Sequence, residues 1–70
     1  MSAGLDDRLI QMVNQIAANL AALGDERAAK ETAQHLLDYW DPSMREAVLS
    51  ANPLKLSDIA RAAINILSER

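Results

Sequence analysis

The stretch His35-Leu-Leu-Asp-Tyr-Trp-Asp-Pro-Ser-Met-Arg45, HLLDYWDPSMR, decides how the chain divides. It holds the only His, Tyr and Trp and one of the two prolines. Ahead of it, Ala29, Ala33, Leu36, Leu37 and Trp40 recur at helical spacing. At Asp41-Pro42 the pattern must break. Proline disfavours helix at the residue before it and is preset for the first turn of a new one. Asp41 then stands where a side chain accepts from the free N–H groups of the next helix. The stretch predicts a helix, a cap and a second helix: a corner.

Working outward gives helices on both sides. Toward the N-terminus, Leu5, Leu9, Met12, Val13, Ile16, Leu20 and Leu23 fall on one stripe, with Asp6 and Asp7 in the first turn where the helix dipole favours anions. Gly24 is placed as the left-handed stop and Asp25 as the cap of the helix that leads to Trp40. Toward the C-terminus, a short helix from Pro42 to Ser50 buries Met44, Val48 and Ala47, and Asn52-Pro53 ends it. Leu54 and Leu56 are expected to fold back onto the core. Ser57 caps a last helix whose inward face is Leu56, Ile59, Ala63, Ile66 and Leu67, with Ala60 and Ile64 on its flank. There is no repeat, linker or strand pattern. The expected fold is all-α: a single helical domain over residues 1–70, with four helices and a short third one.

Size and composition narrow the classes. Folding 70 residues removes about 6,700 Å² from water. That burial contributes roughly 100 kcal/mol, against an ordering cost of about 105 kcal/mol. Such a chain is marginal alone and gains from a partner. It has no cysteine, hence no disulfide and no thiolate for zinc or iron–sulfur clusters. Seven Lys and Arg against ten Asp and Glu leave a net charge of −3. The cations Arg8, Arg27, Lys30, Arg45, Lys55, Arg61 and Arg70 are scattered, so the stripe that binding to nucleic acid needs is missing. No signal segment and no membrane span are read from the sequence, and the expected setting is the cytoplasm.

Two helix faces are unusually neutral. From Leu9 to Gly24 the chain carries no charge. Opposite the first helix's stripe lie Ile10, Asn14, Ala17 and Ala21, flanked by Gln11, Ala18 and Ala22. A solvated helix normally has charge there. Amides and alanines suit a face that becomes covered, because they avoid ion desolvation and admit a close backbone; high helix propensity of alanine is the other explanation. The second helix repeats this more weakly along Ala28, Thr32, His35 and Tyr39. Trp40 has two readings, a core plug or an anchor at the seam, and Trp, Tyr and Arg are frequent interface anchors. Arg45 is either such an anchor or a local ion-pair partner of Asp41.

Catalytic chemistry is hard to assemble from this inventory. His35 is the one imidazole, with Asp38 and Tyr39 in helical reach, and a surface or hydrogen-bonding role outweighs a metal role. Ser2, Ser43, Ser50, Ser57 and Ser68 sit at caps or on the surface, without a converging base and acid. Gly4 and Gly24 stand alone, so there is no phosphate-binding loop. Small acidic acyl carrier proteins need Asp-Ser-Leu; here the order is reversed in Ser57-Asp58-Ile59. No enzyme activity, metal or cofactor is expected of this chain by itself.

Two segments resemble a known family. MVNQIAANLAALGDERAA, Met12 to Ala29, contains its Asn14-Gln15-Ile16 pattern. HLLDYWDPSMR contains its His, aromatic, Trp, Asp-Pro and Met-Arg at matching spacing. The chain is similar to the small delta subunit of soluble, NAD-dependent, molybdenum-containing formate dehydrogenases. The resemblance implies a non-catalytic accessory subunit that binds the alpha subunit and its complex and supports assembly or stability. Molybdopterin guanine dinucleotide, iron–sulfur clusters, FMN and NAD would then lie in other subunits. It carries Asn14, Gln15, His35, Trp40, Asp41, Pro42, Met44 and Arg45 over by motif position. With the neighbouring Tyr39, the expected partner-binding set is Asn14, Gln15, His35, Tyr39, Trp40, Asp41, Pro42 and Arg45. A transient maturation factor for molybdenum cofactor insertion, or a self-associating helical module forming a homodimer, are the alternatives.

Overall fold

The computed structural model describes residues 3–69, with side chains from residue 6 onward. The side chain of Leu5, and Ser2 and Arg70 entirely, lie outside the described residues. Among these, the chain forms four α-helices: α1 (Ala3–Leu20), α2 (Asp25–Tyr39), α3 (Pro42–Leu49) and α4 (Asp58–Ser68). Two 3₁₀ turns, Ala21–Leu23 and Pro53–Lys55, complete the element order. The all-α architecture with a short third helix is as the apolar spacing predicts.

The caps explain where the helices begin. Asp41 accepts from the Met44 N–H at 2.9 Å and starts α3, with Pro42 in the first turn. Ser57 Oγ accepts from the Ala60 N–H at 3.2 Å and starts α4. Asn52 does the same for the Pro53–Lys55 turn through the Leu54 N–H at 3.0 Å. The α1–α2 junction differs from expectation. Gly24 (φ 96°, ψ 150°) closes the 3₁₀ turn and itself occupies the cap position of α2, so Asp25 is the first helical residue rather than the cap. A side chain is strained at that φ, which is why glycine stands there.

The core is a wedge of small and branched side chains. Val13, Leu36 and Val48 are fully enclosed, and Leu9, Ile10, Ala17, Trp40, Leu56, Ile64 and Leu67 surround them. The most extensive helix pair is α2 with α4. Both bury alanines there, Ala29 and Ala33 from one and Ala60 and Ala63 from the other, and side chains this short let two backbones approach closely. Ile59 and Ile66 sit half-buried at the margins of the α4 face, which is centred on Ala60, Ala63, Ile64 and Leu67.

Three expectations are overturned. First, Ile10 (6% exposed) and Ala17 (1%) are core residues, whereas Met12 and Leu23 are 41% exposed. The helix is rotated so that Ile10 and Ala17 enter the core, and Asn14 between them bonds the connection into α4. Leu9 and Val13 are inward in either setting and do not distinguish them. Second, Ala28 and Thr32 of α2 are fully buried, so that uncharged line is half interior. The Thr32 hydroxyl has no hydrogen-bond partner among the described residues. Third, Leu54 does not fold back; it is 86% exposed, while Leu56 is buried. The accessible surface is 4604 Å², close to the roughly 4,300 Å² typical of a folded chain of this mass. Among the described residues, Ile10 and Ala17 are covered by the domain's own core.

Candidate functional site

The corner between α2 and α3 gathers six of the eight expected residues. Trp40 leaves the helix with extended backbone (φ −96°, ψ 140°), its N–H still donating to the Leu36 carbonyl at 3.0 Å. Its side chain is 6% exposed and belongs to the core cluster, so the plug reading describes its place in the fold. Asp41 follows, also extended, and its carboxylate accepts from the Met44 N–H at 2.9 Å and from Ser43 Oγ at 2.7 Å. These donors favour the charged form. The Met44 N–H bond first, then the Ser43 hydroxyl, hold the carboxyl below the ordinary aspartate range, and the positive charge of Arg45 adds a smaller push.

Of the two readings of Arg45, the ion pair with Asp41 does not form among the described residues. Its guanidinium donates to the Trp40 carbonyl, one of the groups the end of α2 leaves free. The half-buried side chain thus ties the third helix back to the end of the second. What the corner offers outward is different: Tyr39 is 75% exposed. It leans on half-buried His35 with ring centroids 4.9 Å apart at 44°. Pro42 is exposed as well.

Asn14 and Gln15 are neighbours in sequence but do different things. The Asn14 side chain donates through Nδ2 to the Lys55 carbonyl at 3.0 Å and accepts the Ser57 N–H through Oδ1 at 2.9 Å. One amide thereby grips both sides of Leu56. Lys55 Nζ adds an ion pair to Asp7 at 3.2 Å. From the other side Arg61 donates to the Pro53 carbonyl at 3.2 Å, the Leu56 carbonyl at 3.0 Å and Asp58 at 3.2 Å. Gln15, in contrast, points outward and pairs only with Asn19, one turn on, at 3.1 Å.

The exposed side of α1 is therefore only partly the predicted one: Gln11, Ala18, Ala21 and Ala22 are exposed as expected, Ile10 and Ala17 are buried, and the exposed side is just as neutral. Gln11, Met12, Gln15, Ala18 and Asn19 are exposed, and Ala21, Ala22 and Leu23 continue the surface through the 3₁₀ turn. No ionisable side chain interrupts it between Arg8 and Asp25. Sequence reasoning missed Lys55, Ser57 and Arg61 as the groups that fix the connection. An amide set one position off an apolar helical stripe was the signal available.

A groove of about 380 Å³ between α2 and α4, lined by Asp25, Ala29, Lys30, Ala62 and Ile66 among others, contains none of the expected site residues. Among the described residues, no group of three His, Asp or Glu is placed to hold a metal ion. No described helix is long and apolar enough to cross a membrane.

Fold and surface together define a small helical domain whose exterior includes an uncharged helix face and an aromatic corner. The chain belongs to the family of the NADH-dependent formate dehydrogenase delta subunit FdsD, whose model matches residues 8–64, from the first turns of α1 into α4. The match spans both segments singled out in the sequence and runs on through the Asn52–Ser57 connection. No curated protein and no solved structure shows significant similarity to the chain.

Proposed function

We propose that this chain is a non-catalytic accessory subunit of a cytoplasmic, NAD-dependent formate dehydrogenase. It binds the large molybdenum-containing subunit and supports assembly or stability of the active complex. The observation that carries this reading is the family match across residues 8–64. The donor inventory agrees with it: a chain without cysteine offers no thiolate to an iron–sulfur cluster. In this reading molybdopterin guanine dinucleotide, iron–sulfur clusters, FMN and NAD are held by the other subunits.

The expected binding set divides by what each side chain is free to do. Gln15, Tyr39, His35 and Pro42 have surface to offer a partner. Asn14, Trp40, Asp41 and Arg45 act through the fold, holding the surfaces on which the others stand.

Co-purification is the test. A tagged chain expressed in its own cells should recover the formate dehydrogenase subunits in fixed ratio from the finished, active enzyme. Recovery from immature complexes alone would make it a maturation factor. Recovery of no such subunit would end the proposal.

A further inference from the structure

We infer that the trough along α4, walled by the end of α1 and the start of α2, is a docking groove. Its occupant is an apolar segment of another subunit of the enzyme, carrying an arginine or lysine that meets Asp25. This rests on the proposed function and adds the location and the chemistry of the partner's side. Two hollows make up the trough. One, of about 380 Å³, is lined by Ala29, Ala62 and Ile66 among others. The other, of about 270 Å³, is lined by Ala18 and Ile59 among others. Asp25 lines both and joins them. On the α4 side the floor is Ile59, Ala62 and Ile66, all half-buried and spaced to share one helix face. The two isoleucines pack against the core with part of their surface and leave the rest open.

Charge complementarity selects the occupant. The rim carries the carboxylates of Asp25, Glu26 and Asp58. Glu26 has Lys30 at 3.7 Å and Asp58 has Arg61 at 3.2 Å, each on its own helix. Asp25 forms no ion pair among the described residues. The helix dipole favours a carboxylate in any first turn, but this one stands between two hollows with apolar floors. A segment that covers the isoleucines must cover Asp25 as well. A buried carboxylate without a counter-ion is strongly unfavourable, so the segment has to bring a cation. The same carboxylate rejects an acidic or wholly apolar segment. Apolar anchors on a helix-lined floor with a charge at the rim match the way amphipathic segments seat in grooves.

Recovery of formate dehydrogenase subunits on the tagged full-length chain tests this, at low and at raised salt, with helicity followed by circular dichroism. Wild-type recovery should fall as salt rises. Asp25→Asn keeps the shape and removes the charge; recovery at low salt should drop about tenfold or more, and its salt dependence should flatten. Ala62→Lys fills the trough and repels the cation, and should lower recovery at least as far. Glu31→Gln removes a carboxylate from exposed α2 outside the trough and should leave recovery at the wild-type level. If Ala62→Lys loses helicity, Asp25→Asn decides alone. Wild-type recovery or wild-type salt dependence in Asp25→Asn overturns the groove and its cation while the accessory-subunit reading stands. Absence of subunits from the wild-type chain overturns both. Should the isolated chain sediment as a dimer that Asp25→Asn dissociates, the occupant is a second copy and the inference fails.

Discussion

The corner at residues 39–45 and the connection at residues 52–57 are both sharp turns between helices, and they are secured in opposite ways. In the corner each bond is local. Asp41 caps three residues ahead, Ser43 reinforces it from two residues away, and Arg45 reaches back five residues to the Trp40 carbonyl. In the connection the decisive bonds come from far along the chain, through Asn14 to Lys55 and Ser57, at separations of 41 and 43 residues. A local turn can be built by its own sequence. A distant clamp needs the rest of the domain in place first.

The strongest way to probe the comparison is to empty the corner. Trp40→Ala removes the largest core side chain and should cost about 3–5 kcal/mol, measured by urea denaturation. Domains of this size hold only about 5 kcal/mol, so this variant should be near unfolding at room temperature. A loss under about 1 kcal/mol would mean the indole is not a plug. Next comes the setting of α1. Ile10→Ala should cost about 2–4 kcal/mol as a cavity in the core, while Met12→Ala, at a half-open site, should stay within about 1 kcal/mol. The reverse order would place the helix in the rotation first read from its apolar stripe.

The clamp itself should weigh less. Asn14→Ala strips two hydrogen bonds and leaves the Lys55 carbonyl and Ser57 N–H to find water, for a loss of about 1–3 kcal/mol. Amide exchange should rise at Ser57 while Met44, in the corner, keeps its protection. Thr32→Val is smaller and opposite in sign. It removes a buried hydroxyl that lacks a partner, and should raise stability by up to about 1 kcal/mol.

The acid response isolates the Asp41 cap. Its carboxyl titrates below the ordinary aspartate range because the charged form is held by the Met44 N–H and Ser43. Its stabilising contribution is therefore complete above the unfolded-state pKa and is lost as pH falls through the lowered folded value. Asp41→Asn should be less stable than the wild type near neutral pH, and the gap should shrink under acid. A gap that stays constant down to the most acidic pH at which both fold would mean that the charge contributes nothing.

The same division explains how much could be read in advance. Helix number, the Asp41, Asn52 and Ser57 stops and the short third helix follow from neighbours a few residues apart, and they stand in the fold as expected. The rotation of α1 does not follow. Leu9 and Val13 fit either setting, and the choice between Ile10–Ala17 and Met12–Leu23 depends on which flank another segment covers. Leu54 shows the same limit, since an apolar side chain in a turn reads as core until the backbone bracing around it is known. Of the candidate surface, neutrality was legible because it is a property of composition. Its position was not, because position is set by packing between distant parts.

The grip of Asn14 on the backbone around Leu56 has a consequence for autonomy within this small domain. A fragment beginning at Asp25 would retain both members of every bond in the corner. It would have lost Asp7 and Asn14, and with them the N-terminal braces on the Lys55–Ser57 segment. The hydrogen bonds of the corner thus survive such a cut, whereas the segment leading into the last helix loses its anchors on the first. An extension or fusion that tilted α1 would pull on the Lys55–Ser57 segment and so on the start of α4, whose body is held chiefly by α2.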